Sequence, residues 1–175
     1  MAAENAAKEK EATPIVLDSL DPIFNGRYGE PFYKLDGGNR LTVPVSVLRS
    51  LGNRFVVFRD VVQHRITLYP KENWDKRSRI ISRKLREQYP DRYAALEQTL
   101  IIKNTTEVEM EILPSKNKIQ LIAADVELLQ FPTGDRRVTL LGKWDGIEVV
   151  PTVRLEPAEI SLPDPGFMDE LLYGD

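Results

Sequence analysis

The chain has 175 residues, 42% of them hydrophobic, with 24 Lys and Arg against 27 Asp and Glu, a net charge of −3, and no cysteine. That length suits one well-buried domain or two small interlocked ones, and the lack of cysteine excludes disulfides, thiolate catalysis and cysteine metal sites. No apolar run approaches about 18 residues and Met1–Lys10 lacks the apolar core of a signal peptide, so a cytoplasmic protein with no membrane partner is expected.

Residues 1–21 read as a flexible N-terminal arm. The first 13 or so are rich in Ala, Glu and Lys, and Ile15, Val16, Leu17 and Leu20 are apolar enough to pack on a neighbour. A first unit, 22–103, opens at Phe24–Tyr28, where Gly26 marks a bulge or close approach. Its organising stretch is Tyr33–Leu51. Tyr33–Leu35 and Leu41–Pro44 read as the two strands of a hairpin around Asp36-Gly37-Gly38-Asn39, residues that tolerate positive φ. Asp36, heading the turn, is placed to accept backbone amides two or three residues on and so to fix the loop that presents Arg40. Pro44 ends the second strand, Ser46 is the expected cap of a helical turn through Val47, Leu48 and Leu51, and Gly52 closes it.

Phe55–Phe58 and Ile66–Tyr69 read as the next two strands. His64, the single histidine, lies between them with no Cys or acid pair nearby and reads as a loop residue. Lys71 to Leu100 reads as helical, divided at Pro90. Trp74, Ile80, Ile81, Leu85 and Tyr89 form its apolar stripe, while Lys76, Arg77, Arg79, Arg83, Lys84 and Arg86 crowd the other faces.

The second unit, 104–151, begins with a strand over Thr105–Glu111. There Thr106, Val108, Met110 and Ile112 alternate with Glu107, Glu109 and Glu111. The acidic outer face is suited to meet the basic unit of the next copy in a head-to-tail ring. Leu35–Val43 aligns with Leu113–Leu121, Phe55–Phe58 with Val138–Leu141 and Ile66–Pro70 with Ile147–Pro151, so the chain is a tandem repeat. Residues 152–175 form a C-terminal tail with Pro157, Pro163 and Pro165 ahead of an acidic, apolar end, Phe167–Tyr173.

Charge divides along the same line. Residues 21–103 carry a net +7 and residues 104–175 a net −8. A basic first unit is what a phosphate-facing surface needs.

The order Gly26-x-Tyr28, Leu35-Asp36-x-x-x-Arg40, Val43-Pro44, Phe55-Val56-Val57, Leu68-Tyr69-Pro70-x-x-x-Trp74, Thr106-Glu107-Val108-Glu109, and Gly142 ahead of Ile147-Glu148-Val149 resembles the MraZ family, tandem AbrB-like swapped-hairpin regulators. The resemblance covers Phe24 to Pro151. It implies an α+β, β-rich fold in which two tandem units form a pseudo-twofold β-barrel. It also implies assembly into homo-oligomeric rings and sequence-selective binding of double-stranded promoter repeats, as a nucleoid-associated transcriptional regulator. Three departures stand out. Asn39 replaces the usual Gly before Arg40, the Pro44-to-Arg49 spacing is one residue longer than usual, and the second turn has Pro114 for its acid and Lys118 for its Arg.

Arg27, Lys34, Arg40 and Lys118 are therefore the expected DNA-binding residues, with Asp36, Gly37, Gly38 and Asn39 structuring the turn. There is no phosphate-cradling Gly-rich loop, no HExxH and no nucleophile elbow, so no enzyme activity, cofactor, metal or small-molecule substrate is expected. The alternative is a ring-forming scaffold or protein-interaction module with lost or weakened DNA binding, favoured by the acidic second unit, Pro114 and the added tail.

Overall fold

The computed structural model describes residues 24–156 and 166–174. The expected N-terminal arm and the prolines of the tail lie outside the described residues. In chain order the strands are β1 (Arg27–Lys34), β2 (Arg40–Thr42), β3 (Arg54–Asp60), β4 (Arg65–Pro70), β5 (Thr105–Glu109), β6 (Lys118–Gln120), β7 (Arg137–Lys143) and β8 (Gly146–Pro151). The helices are α1 (Val45–Leu51), α2 (Lys71–Gln88), α3 (Tyr93–Leu100), α4 (Ala123–Leu129) and α5 (Phe167–Tyr173). The protein is α+β. A six-stranded antiparallel sheet runs β1-β7-β8-β4-β3-β5, and β2 and β6 form a separate two-stranded ladder. None of the helices is long and apolar enough to cross a membrane among the described residues.

The element order β-β-α-β-β occurs twice, so β1, β2, β3 and β4 correspond to β5, β6, β7 and β8. Exchanging each strand for its counterpart reverses the sheet order onto itself. The registers agree. Thr67 of β4 lies opposite Glu148 of β8, and Leu41 of β2 opposite Ile119 of β6, both being pairs of equivalent positions. A twofold axis relating the units passes through these two pairs. Among the described residues the large sheet stays open, with β1 and β5 as its edges, rather than closing into a barrel.

The structure corrects the expected hairpin. Asn39 N–H donates to Asp36 O at 3.0 Å and Asp36 N–H to Arg40 O at 3.2 Å, so the turn forms. Its two arms then separate. Tyr33 and Lys34 pair with Val138 and Arg137 of β7, whereas Arg40–Thr42 pairs with Gln120–Lys118 of β6. The reason is burial: Leu41 and Ile119 meet at the axis, 0% and 4% exposed, which a local hairpin leaves unpaired. The helix start is also corrected. Val47 and Leu48 amides both donate to Pro44 O, so the helix opens at Val45 and Ser46 falls inside its first turn with no capping bond. Pro44 serves at that boundary because a residue there needs no donor of its own.

One apolar cluster joins the layers, with Leu41, Leu48, Phe55, Leu68, Leu121, Leu140 and Ile147 all buried. Each such side chain contributes about 1.5–3 kcal/mol on burial. From the expected stripe of α2, Trp74 is buried against Phe58 and Tyr69, with ring centroids 5.0 and 5.3 Å away. Ile80, Ile81 and Leu85 are only half-buried and Tyr89 is exposed, on a helix whose helical neighbour is the short α3. Arg77 fixes the proximal part, its Nε and Nη2 donating to the two oxygens of buried Asp145 at 2.8 and 3.0 Å.

Candidate functional site

Asp36-Gly37-Gly38-Asn39 is a rigid turn for reasons that are local and non-local at once. Asp36 Oδ1 accepts the amides of Gly38 and Arg40, each at 2.9 Å, and Asp36 Oδ2 accepts Arg40 Nε at 2.7 Å. The backbone amide of Arg40, then that of Gly38, and the Arg40 guanidinium hold the Asp36 carboxyl below the usual carboxylate range, with slight burial working against them. Among the four turn residues Asn39 alone takes a positive φ, 59°. The two glycines are therefore not needed for left-handed backbone, and Asn suffices where it is.

Second-unit residues brace the turn from outside. Arg136 Nη2 donates to Asn39 Oδ1 and to Asp36 O, and Gln120 Nε2 donates to Gly38 O at 2.7 Å. Lys118 Nζ lies 3.6 Å from Asp36 Oδ2. Two of the four expected DNA-contacting residues thus converge on one carboxylate. The Arg40 and Lys118 side chains remain 55% and 45% exposed. Asp36 engages Nε of Arg40, and among the described residues no protein acceptor takes its terminal nitrogens.

Lys34 and Arg27 are exposed at opposite ends of edge strand β1, facing Arg137 and Leu141 in register. Lys34 leads into the turn. Arg27 stands at the far end of the strand, so the three first-unit cations do not gather around the turn. Arg137, by contrast, is committed internally to Asp135 and Glu156, both at about 2.8–2.9 Å. The Arg137 guanidinium pulls the Asp135 carboxyl down to about 2.

Arg136 and Gln120 escaped the sequence reading. The repeat alignment places Arg136 just ahead of β7 and Arg137 at its first position, where Asn53 and Arg54 stand at the start of β3, and that doublet was the available signal. It gave no indication of a contact with a turn near residue 38, because such contacts depend on how the units interlock.

The acidic strand β5 is also partly neutralised within the chain. Arg54 bonds Glu107, and Lys71 Nζ lies 3.7 Å from it. Among the described residues no group of three or more His, Asp or Glu is arranged to hold a metal ion. Chemically, the turn presents the exposed Arg40 guanidinium and Lys118 ammonium, N–H donors and positive charge suited to an anionic oxygen.

Compared with protein-family models and with curated proteins, the chain matches none.

Proposed function

We propose that this protein is a sequence-selective DNA-binding regulator of the MraZ type, built from two tandem AbrB-like swapped-hairpin units and acting as a homo-oligomer. The observation that carries the reading is the exchange of strand partners. β2 leaves its own turn partner to pair with its counterpart β6, and this places Arg40 and Lys118 side by side on one carboxylate. The turn is held by hydrogen bonds and ion pairs from both units, so its cations are presented with little conformational entropy left to lose on binding.

Arg40 then meets phosphates or the O6 and N7 edge of guanine, and Lys118 adds a phosphate contact as a point charge. Lys34, where β1 enters the turn, extends the same positive track, and Arg27 reaches the backbone further along. One turn makes few contacts. Repeating it around a head-to-tail ring on repeated sites supplies the rest through effective concentration. Glu109 and Glu111, exposed on the β5 side, are the acids left to face the basic unit of the next copy.

The test is a gel shift of the purified protein on the DNA upstream of its own gene cluster, against an unrelated fragment, at two salt concentrations. Selective retention that weakens with salt is the expected result. No retention of any fragment by a well-folded oligomer overturns the reading in favour of a protein-binding scaffold.

A further inference from the structure

α5 is a short amphipathic helix whose apolar side chains are exposed among the described residues. At about 100° per residue, Phe167, Met168, Leu171 and Leu172 share one side of it, and Asp169 and Glu170 flank that stripe on its two edges. Leu171 and Leu172 are each 63% exposed. An apolar face of this kind is left in water only at a cost, and helices this short hold together by packing rather than by propensity.

The body carries a groove of matching character. A pocket of about 720 Å³ lies between α2, α3 and the approach to β5. Its floor is Trp74, Ile101 and Ile102, the last 53% exposed. One wall is a row of exposed arginines, Arg79, Arg83 and Arg86. Their spacing of four and three residues puts them on one face of α2 over about 10 Å, the length of a seven-residue helix such as α5. The acids of the groove are already engaged: Asp75 by Lys71, Glu107 by Arg54 and Lys71, and Glu97 by Ser82. Arg86 is stacked over Tyr93. Arg79 and Arg83 have no acidic partner among the described residues, so the wall is net positive toward an incoming acidic helix. α5 of the same chain does not line the groove.

We propose that the α2–α3 groove is a docking site for α5 of a second copy of this chain. The apolar stripe seats on Trp74, Ile101 and Ile102, and Asp169 and Glu170 meet Arg79 and Arg83. This contact is separate from the DNA-facing turn and does not rest on it. It gives the tail of one copy a hold on the helical face of another, and fixes which face of the protein turns toward its neighbour.

The absence of cysteine makes the test direct. Ile102→Cys and Leu172→Cys chains are mixed in equal amounts and oxidised. The expected result is a disulfide-linked heterodimer at least about tenfold more abundant than from Ser115→Cys paired with Leu172→Cys, because docking raises the effective concentration of the two thiols. Arg79→Glu with Arg83→Glu in the groove chain should abolish the excess, and Asp169→Lys with Glu170→Lys in the tail chain should restore it. Circular dichroism confirms that each variant is folded. Heterodimer no more abundant than the control overturns the proposal. So does cross-linking seen only within a single chain carrying both Ile102→Cys and Leu172→Cys, which would make the groove the seat of the chain's own tail.

Discussion

Lys118 of the second unit lies 3.6 Å from the same Asp36 oxygen that accepts Arg40 of the first unit. The second turn carries Pro114 where the first has Asp36, and this contact gives the physical reason the loss is tolerated: one acid orients the cations of both turns. Asp36 should therefore matter more to the order of the site than to global stability, since exposed ion pairs contribute little to folding. Asp36→Ala is expected to speed amide exchange at Gly38 and Arg40 while leaving the urea midpoint nearly unchanged. The pH dependence has a definite sign. Because the folded-state pKa of Asp36 is lowered from 3.8, its contribution is present above that value and is lost as pH falls through the lower, folded-state one. Unchanged exchange at both amides in the variant would refute this account of the turn.

Glycines separate into needed and replaceable ones. A Cβ at Gly142 would stand 2.5 Å from Asn25 Cα and 2.6 Å from the Phe24 carbonyl carbon, where the chain entering β1 crosses β7. At Gly37 a Cβ meets nothing within 4 Å, and the backbone there is not left-handed. Gly142→Ala should cost about 1–3 kcal/mol in urea unfolding, and Gly37→Ala should stay within about 0.5 kcal/mol of the parent. Equal effects at the two sites would contradict the described backbone approach.

Among the described residues Arg59 and Asp125 form the most buried ion pair, with side chains 15% and 1% exposed. Asp125 also accepts the Ile122 amide at 3.0 Å and so helps open α4, while Arg59 reaches Thr106 Oγ1 at 2.7 Å. Removing the acid alone strands a largely buried guanidinium. Asp125→Ala is therefore expected to cost about 3–5 kcal/mol, and Asp125→Leu combined with Arg59→Met to recover most of it. Denaturant unfolding of the two variants checks both halves of the prediction.

The local signals in the sequence were easy to read because their causes are local. Pro90 divides α2 from α3, Gly52 ends α1 with a φ of 86°, and the acid at residue 36 binds the amide two residues on as expected, its second amide lying four residues on rather than three. The strand partners were not readable in the same way. Leu41 seeks the nearest apolar strand in sequence when only sequence is available, yet its partner Ile119 lies in the other unit, and both bury fully only in that pairing. The same limit hid Arg136 and Gln120, whose part in the site exists only once the units interlock. Ser46 misled for another reason: a good capping side chain two residues too late yields to Pro44, whose geometry already suits a helix start.

The central claim is that Arg40 and Lys118 read nucleic acid from the Asp36 turn, and fluorescence anisotropy with a labelled duplex selected by the parent protein tests it most directly. Affinity should be measured across a salt series for the parent, Arg40→Ala and Lys118→Ala. The account predicts that Arg40→Ala weakens the selected duplex by about 1–3 kcal/mol more than a scrambled one. Lys118→Ala should weaken both alike and reduce the salt slope by roughly one phosphate contact. Folded variants that bind both duplexes with parental affinity and parental salt slope would contradict it.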